Sequence, residues 1–299
     1  MTEQAYEKKD ILSDQYADGK AAKVWEMYIG SKQVRTANYK SFICQLLRSH
    51  NCKRVLDVAC GTGVDSIMLL EEGFKVISTD ASDQMLKYAL KERWNRRKEA
   101  EFDNWVIEEA NWLTLQNDLE DVKGCPEEGF DAVVCLGNSF AHLLDFDGDQ
   151  RGQRLALKNF CSLIKPGGIL IVDHRNYDEI LRTGKPPLGK NVLYMGQRIT
   201  DINCSNMYVN GKPYMTTFNY TMDVSTYVKD ESKKAKWFSD DGKEHFRLSY
   251  YPHRVVDFVS LLRQVFGPEA KHSIFGDFKP IDEIECPTYF MHVIKKTIS

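Results

Sequence analysis

The chain has 299 residues, a length that accommodates two domains of typical size or one domain enlarged by insertions. Hydrophobic residues make up 42% of it and charged residues 28%, with only 9 prolines, which excludes disordered and collagen-like classes. Forty Lys and Arg against 43 Asp and Glu give a formal net charge of −3, so no bulk positive field attracts a polyanion. The basic run at 91–98 is typical of a solvated helix end, and we expect no nucleic-acid partner.

The N-terminal residues and the cysteines bear on the compartment. Residues 1–10 lack the apolar run of a secretory signal, and no stretch approaches the roughly 18 apolar residues of a membrane span, so we expect no membrane partner. The eight cysteines never form a CxxC pair, and several lie inside apolar runs. This usage favours reduced thiols in the cytoplasm and predicts no metal site.

Strand and helix signals alternate through the first half of the chain. Short apolar runs, such as Phe-Asp-Ala-Val-Val-Cys-Leu at 130–136, predict buried strands. The predicted strands are 53–59, 74–78, 105–108, 130–136 and 169–172, and the predicted helices are 65–72, 83–97 and 155–164, with Lys-Pro-Gly-Gly at 165–168 ending the last helix. This alternation predicts an α/β fold with a doubly wound, mostly parallel sheet, which binds ligands beyond the carboxyl ends of its strands.

The pattern changes after residue 175. Residues 193–227 alternate polar with β-branched or aromatic side chains, which predicts antiparallel strands inserted as a lid, and residues 229–244 are predicted to be an exposed loop. The sheet then resumes with a predicted helix at 255–265 and a final antiparallel strand at 289–294. Helical spacing within the first forty residues predicts a cap over the mouth of the site.

The strongest motif follows the first predicted strand and has the pattern D-x-x-x-G-x-G. Gly61 and Gly63 let the backbone turn sharply beside a ligand, and Asp80, at the end of the second strand, suits a ribose diol. The third glycine of a dinucleotide motif is replaced by Ser66, and the carboxylate of Asp57 would repel a pyrophosphate but accept a cationic ligand. The motif therefore favours S-adenosylmethionine over NAD, with a purely structural turn as the alternative. The predicted domains are 1–40 as N-terminal arm and cap, 41–175 with 246–299 as the S-adenosylmethionine-binding catalytic domain, and 176–245 as the inserted lid.

Seven runs of sequence resemble the glycine N-methyltransferase family, and the likeness extends from about residue 14 to residue 296. The runs are 14–19, 56–66, 109–112, 135–142, 173–178, 247–253 and 276–280. The resemblance implies a Rossmann-like class I methyltransferase that uses S-adenosylmethionine to convert glycine to sarcosine. It also implies a homotetramer in the cytoplasm, inhibited by a reduced folate, 5-methyltetrahydrofolate, bound between subunits.

The motif and the resemblance together assign the ligand-binding residues. The cofactor residues are Tyr16, Trp25, Tyr28, Arg35, Asp57, Ala59, Gly61, Gly63, Asp80, Asn111, Trp112, Leu136 and Ser139. The substrate and catalytic residues are Arg175, Asn138, Gly137, Tyr16, Tyr28, Tyr194, Tyr220 and His142. Arg175 follows the fifth strand, and its planar guanidinium suits a free carboxylate through two parallel hydrogen bonds. A surface ion pair is the alternative for Arg175, ordinary packing for the tyrosines, and a structural role for His142.

Two other functions share part of this pattern. A glycine and sarcosine methyltransferase of osmolyte synthesis would also have the runs at 136–140 and 175–178, whereas those at 58–60 and 249–253 are more similar to the single-step enzyme. A folate-binding regulatory protein is the second alternative. Residues 1–13, 116–128 and 223–244 depart from the family, so neither its N-terminal arm nor its folate contacts carry over.

Overall fold

Two β-sheets organise the residues that the computed structural model describes, which are 22–24, 35–187, 193, 199–225 and 242–297. The strands are β1 (Arg54–Asp57), β2 (Lys75–Asp80), β3 (Val106–Glu109), β4 (Phe130–Cys135), β5 (Ile164–Arg175), β6 (Ile199–Val209), β7 (Lys212–Asp223), β8 (Lys243–Tyr250), β9 (His272–Gly276), β10 (Lys279–Pro280) and β11 (Tyr289–Lys295). The α-helices are α1 (Ala37–Ser49), α2 (Val64–Glu71), α3 (Asp83–Asn95), α4 (Ala100–Asp103), α5 (Leu115–Leu119), α6 (Arg151–Leu163), α7 (Tyr177–Thr183) and α8 (Val255–Phe266). Among these described residues, no helix is long and apolar enough to cross a membrane.

The larger sheet has eight strands in the order β10-β9-β11-β5-β4-β1-β2-β3. Strands β1 to β5 pair in parallel, and β11 pairs antiparallel with both β5 and β9. The predicted doubly wound, mostly parallel sheet with a final antiparallel strand is therefore confirmed. The chain runs outward from β1 to β3 and then returns to β4 on the other side of β1, so a crevice opens at the carboxyl ends of β1 and β4.

Helices cover both faces of this sheet, which explains why its inner strands are apolar runs without alternation. All six residues of β4 are buried. Val134 packs in the cluster that contains Ile43 of α1 and Ile67 of α2. Its neighbour Val133 points to the opposite face, in the cluster that contains Phe258 of α8. The two hydrophobic clusters fix the sheet and thus the position of its carboxyl edge.

The smaller sheet is antiparallel, in the order β6-β7-β8. Alternate residues of β7, among them Phe218 and Tyr220, are buried on one face, as the period of two predicts. They belong to one cluster with Ala141, which follows β4, and Tyr177, which follows β5. This sheet consequently packs over the carboxyl edge of β4 and β5.

The structure differs from the predicted elements at β5. That strand begins at Ile164 rather than at 169 and runs through the Lys-Pro-Gly-Gly sequence, with a shift in its register against β4. The main-chain N–H of Gly167 donates to the carbonyl of Lys296 at 3.1 Å, and the N–H of Lys296 donates to the carbonyl of Gly168 at 2.9 Å. These bonds from the C-terminal segment keep a turn-forming sequence extended.

Strands β8 and β9 are not predicted by the sequence pattern. Lys243–Tyr250 is polar at its start, yet alternate residues from Glu244 onward are buried against β7. The predicted loop at 229–244 falls largely on residues 226–241, which lie outside the described residues. The predicted boundary at 245–246 falls inside β8, and the division into domains stays a prediction.

Candidate functional site

The turn between β1 and α2 is built on two glycines in the left-handed region. Gly61 has φ +55° and Gly63 has φ +88°, values that favour glycine. A Cβ on Gly61 would lie 3.0 Å from the terminal methyl of Met85, and one on Gly63 would lie 2.8 Å from an edge carbon of the Trp105 ring. Backbone conformation therefore favours glycine at both positions, and the rigid Trp105 ring adds a packing requirement at Gly63, whereas the flexible end of Met85 can move aside from Gly61.

Asp57 ends β1 directly below this turn, with a side chain that is almost wholly buried. Its Oδ1 accepts the main-chain N–H of Ala59 at 3.3 Å, and its Oδ2 accepts the hydroxyl of Ser66 at 2.6 Å. Burial, together with the nearby carboxylate of Asp65, raises the pKa of Asp57 to about 7. A ligand cation next to Asp57 would favour its charged form.

Asp80 ends β2 on the other side of the same turn. Its Oδ2 accepts the main-chain N–H of Gly61 at 2.9 Å, and its Oδ1 accepts that of Ser82 at 3.0 Å. Asp57 and Asp80 thus accept two amides of the same turn, those of Ala59 and Gly61, which places two carboxylates beside it. This arrangement disfavours a phosphate at the turn and favours hydroxyl donors or a cation.

Arg35 reaches the start of α2 from the N-terminal side. Its Nε donates to Oδ1 of Asp65 at 2.9 Å, and its Nη2 forms an ion pair with Oδ2 of the same carboxylate. The guanidinium carbon lies 4.2 Å from the ring centroid of Tyr39. The pair is buried and bidentate, so Arg35 is held in one orientation next to the glycine turn.

Trp112 forms a wall between the glycine turn and the segment after β4. Its indole Nε1 donates to the carbonyl of Val58 at 2.5 Å, and its ring stacks on Phe140 with centroids 5.7 Å apart. Next to it, Oδ1 of Asn111 accepts the N–H of Leu113 at 2.9 Å. Both residues, which the sequence assigns to the cofactor, are therefore fixed by hydrogen bonds within the protein.

The segment after β4 is tied to the end of β5 by a buried carboxylate. Asp173 accepts the main-chain N–H groups of Gly137 at 3.0 Å and Asn138 at 2.6 Å. Asn138, in the left-handed region with φ 64°, accepts the main-chain N–H of Arg175 at 2.9 Å through its Oδ1. Burial raises the pKa of Asp173 to about 6, although the two amides oppose that shift. Gly137, Asn138 and Arg175 are thus positioned as one unit. Beside them, the hydroxyl of Ser139 donates to the carbonyl of Leu136 at 2.7 Å.

The guanidinium of Arg175 lies between two aromatic rings. Its carbon is 5.0 Å from the centroid of Phe218 in the smaller sheet and 5.0 Å from that of Tyr289 at the start of β11. Burial lowers its pKa, but the phenol groups of Tyr289 and Tyr220 raise it, and the net shift is upward. None of the ion pairs between described residues includes Arg175. Within that part of the chain, its N–H groups are not committed to a carboxylate.

His142 and Tyr220 lie where the smaller sheet meets the segment after β4. The ring centroid of His142 is 4.5 Å from that of Tyr250, and burial lowers the pKa of His142 to about 4. The hydroxyls of Tyr220 and Tyr250 are 3.4 Å apart. His142 is consequently neutral near pH 7.

The site residues predicted from the sequence agree only in part with those that the structure brings to this edge of the sheet. Of the predicted site residues, Tyr16, Trp25, Tyr28 and Tyr194 lie outside the described residues. Sequence reasoning missed Asp173, Phe218 and Tyr289. The sequence around Asp173 could have indicated it, since it stands between an apolar strand and Arg175, the residue predicted to bind the substrate carboxylate. Phe218 and Tyr289 carry none, because only the folded chain brings them to Arg175.

Comparison with known proteins places the chain among methyltransferases. A model of the methyltransferase domain family matches residues 49–238. Glycine N-methyltransferase of Mus musculus is 58% identical over 288 residues, which cover 96% of this chain and 94% of the mouse protein. Glycine/sarcosine N-methyltransferase of Parasynechococcus marenigrum is 35% identical over 256 residues, which cover 85% of this chain and 76% of that protein.

A solved structure agrees with the fold. An S-adenosylmethionine-dependent methyltransferase from Clostridium acetobutylicum aligns with a TM-score of 0.63, covering 94% of this chain and 99% of its own. Only 14% of the residues are identical, so this likeness concerns the fold alone. It matches the Rossmann-like architecture derived above from strand order.

Proposed function

This chain belongs to the glycine N-methyltransferase family, and we propose that it transfers the methyl group of S-adenosylmethionine to the amino group of glycine. The products are sarcosine and S-adenosylhomocysteine. One observation carries the proposal: Arg175 is held between two rings at the carboxyl edge, with no ion pair to a described residue. A half-buried cation in that state suits a small substrate with a free carboxylate.

The residues at the glycine turn fit S-adenosylmethionine. When bound, this cosubstrate supplies an electrophilic methyl group on a sulfonium cation. We assign the ribose hydroxyls to Asp80, and the methionine end to Arg35 and Ala59 with the ammonium near Asp57. Asn111 and Trp112 would flank the adenine. The remaining proposed cofactor contacts are Gly61, Gly63, Leu136 and Ser139, together with Tyr16, Trp25 and Tyr28. The two carboxylates beside the turn support this fit, because they match hydroxyl donors and positive charge.

On the acceptor side, Arg175 would bind the glycine carboxylate with two parallel hydrogen bonds. Asp173 fixes the segment that presents the carbonyl of Gly137, which we propose accepts a hydrogen bond from the amine. Asn138, His142, Tyr194 and Tyr220 would surround the substrate, with Tyr16 and Tyr28 from the N-terminal cap. Methyl transfer needs alignment more than acid or base help, and near-attack positioning supplies about 7–11 kcal/mol. Since the nucleophile is the neutral amine, activity should rise with pH.

Replacement of the clamp tests this assignment. We expect Arg175→Lys to raise the KM for glycine at least about thirtyfold, because an ammonium cannot make the two parallel bonds. The dissociation constant of S-adenosylmethionine, measured by calorimetry, should stay within about twofold, since Arg175 contacts only the acceptor. Arg254→Lys is the matched control, because Arg254 is exposed and forms an ion pair with Asp178, and the KM of this variant for glycine should not change. An equal loss of both ligands would refute the clamp.

The rival acceptor range is decided by turnover. The 35% identical relative acts on glycine and sarcosine by its name. We propose the single-step reaction because the far closer relative is named for glycine alone. Methylation of glycine, sarcosine and dimethylglycine should be measured side by side. Turnover of sarcosine at a rate comparable to that of glycine would favour the osmolyte enzyme.

Assembly, regulation and location are the finer parts of the proposal. The family resemblance supports a homotetramer that binds 5-methyltetrahydrofolate between subunits and controls the supply of methyl donor. A cytoplasmic location is supported by eight cysteines that are all free thiols. Light scattering tests the tetramer, and inhibition by 5-methyltetrahydrofolate tests the folate site. Folate binding without glycine turnover would favour the purely regulatory alternative.

A further inference from the structure

A chain of hydrogen bonds runs through the interior from Trp105 to Asp57. The indole Nε1 of Trp105 donates to Oγ of Ser78 at 2.7 Å, and Oγ of Ser78 lies 2.7 Å from Oγ of Ser66. The hydroxyl of Ser66 donates to Oδ2 of Asp57 at 2.6 Å. All four side chains are at most 1% exposed. These hydrogen bonds connect the residue before β3 with β2, α2 and β1, and end at the carboxylate below the glycine turn.

The direction of each bond follows from the donors available. An indole N–H only donates, so Ser78 accepts from Trp105. Ser66 has one hydroxyl hydrogen and gives it to Asp57, so it must accept from Ser78. Every hydrogen in the chain therefore points toward the carboxylate.

We propose that Ser66, Ser78 and Trp105 are positioning residues that keep Asp57 ionised and oriented for the ammonium group of S-adenosylmethionine. The inference rests on the proposed function, because it assigns Asp57 to the methyl donor. None of the three residues needs to touch either ligand. The serine at the third position of the glycine motif thereby acquires a use, since a glycine at Ser66 could not donate to Asp57.

Protonation of Asp57 would break this order. A protonated carboxyl that donated to Ser66 would turn the Ser66 hydroxyl toward Ser78, and the Ser78 hydrogen would lose its acceptor in a buried place. Burial and the nearby carboxylates of Asp65 and Asp80 favour protonation of Asp57. The hydrogen-bond chain, which reaches Asp57 through Ser66, opposes both effects. Arg35, paired with Asp65, reduces the effect of that neighbouring charge.

Trp105 connects the same chain to the turn. Its ring edge occupies the space that a Cβ on Gly63 would need, so the indole supports the turn as well as the carboxylate. Trp105→Phe removes the N–H and keeps an aromatic ring in the core, although the shorter ring does not reach the position of Cη2 beside Gly63. This variant separates the hydrogen bond from much of the packing.

The test measures binding of S-adenosylmethionine by calorimetry without glycine, from pH 6 to pH 9. We expect Ser66→Ala to raise the dissociation constant about tenfold at pH 7, and Ser78→Ala or Trp105→Phe about threefold. The effects should shrink toward pH 9, where the carboxyl is ionised in every variant. The double variant Ser66→Ala/Ser78→Ala should be no weaker than Ser66→Ala, because the chain is already broken.

Three readouts separate this inference from a merely structural role. The KM for glycine at saturating S-adenosylmethionine should be unchanged, and Ser66→Cys, with a weaker donor, should fall between wild type and Ser66→Ala. Ser162→Ala, which removes a hydroxyl bonded to the carbonyl of Asn159, is the control and should bind normally at every pH. Losses that are equal at all pH values, or that add in the double variant, would overturn the proposal.

The outcome is distinguishable from failure of the proposed function. If wild type binds S-adenosylmethionine but does not methylate glycine, the assigned reaction fails while the binding series still tests the chain. If glycine is methylated and all variants bind S-adenosylmethionine as tightly as wild type, the hydrogen-bond chain has no role in binding and the assigned reaction stands. Should Ser66→Ala fail to fold, Ser78→Ala and Trp105→Phe carry the same pH test.

Discussion

Gly63 is the residue at which backbone and packing demands coincide. Its φ of +88° disfavours any side chain, and a Cβ would meet the Trp105 ring at 2.8 Å. We expect Gly63→Ala to lower the free energy of unfolding by about 2–4 kcal/mol, the sum of backbone strain and overpacking. Urea denaturation measures this change.

A second glycine isolates the two contributions. Gly73 has a similar φ of +85°, but no atom lies within 4 Å of its Cβ position. Gly73→Ala should therefore show the backbone contribution alone, about 1–2 kcal/mol. Equal losses in the two variants would mean that the contact with Trp105 contributes nothing.

At the scale of elements, Asp131 ties the amino ends of three strands together. Its Oδ2, at the start of β4, accepts the main-chain N–H groups of Lys53 and Arg54, each at 2.7 Å, and its Oδ1 pairs with Lys165 of β5. Burial raises the pKa of Asp131, but Lys165 and the two amides lower it more. We expect Asp131→Ala to lower the free energy of unfolding by about 2 kcal/mol. Most of this loss comes from the two main-chain hydrogen bonds, because Lys165 is partly exposed and its ion pair contributes little.

This loss should depend on pH and leave the site intact. Because the folded-state pKa is lowered, the contribution of Asp131 is present above its unfolded value of about 3.9 and disappears as pH falls through the folded value. Wild type and Asp131→Ala should therefore converge in stability at low pH. The KM values for both ligands should not change, since the site lies at the other edge. Glu128→Gln, at the exposed pair with Arg54, is the control. A raised KM for glycine would contradict this separation of the two edges.

The elements that the sequence predicts well are those whose signal is local. The parallel strands are apolar runs because both faces are covered, and the D-x-x-x-G-x-G spacing fixes a turn within the seven residues 57–63. Strand β9, His272–Gly276, is half-buried at most positions and has no such run, so its pairing with β11 and β10 makes it a strand. The contact between Asn138 and Asp173 spans 35 residues and leaves no spacing to detect. Register, long-range hydrogen bonds and ring contacts to Arg175 are consequences of packing that a pattern does not contain.

At the scale of the whole molecule, five histidines are buried or half-buried and neutral near pH 7. Hydrogen bonds of 3.0 Å join His292 to both His174 and His272 across β5, β11 and β9. Burial lowers the pKa of His142, His174 and His272 to about 4, and lowers those of His253 and His292 well below the usual value. An unfolded chain would bind protons at all five of these groups near pH 6.5. Between about pH 4.5 and 6, unfolding therefore takes up protons at these five histidines.

Two carboxyls act in the opposite direction. The pKa values of Asp57 and Asp173 are raised to about 7 and about 6, so the folded protein holds protons there that the unfolded chain releases. Five histidines against two carboxyls leave a net uptake of about three protons on unfolding near pH 5, or at most about 4 kcal/mol of stability lost per pH unit. The contribution of the neutral histidines to the free energy of unfolding should thus be fully present above about pH 7. The net free energy of unfolding should fall steeply below pH 6.

Thermal unfolding of the protein without ligands checks this balance. We expect Tm to fall by at least about 5 °C between pH 6.5 and pH 5.5. Calorimetry in buffers of different ionisation enthalpy should show proton uptake on unfolding near pH 5. His292→Gln should flatten the dependence of Tm on pH, whatever it does to Tm itself, because one of the titrating groups is gone. Saturating S-adenosylmethionine should steepen the same curve, since a bound ammonium would keep Asp57 ionised and remove one of the two opposing carboxyls. A Tm that does not change between pH 7 and pH 5 would contradict a neutral histidine core.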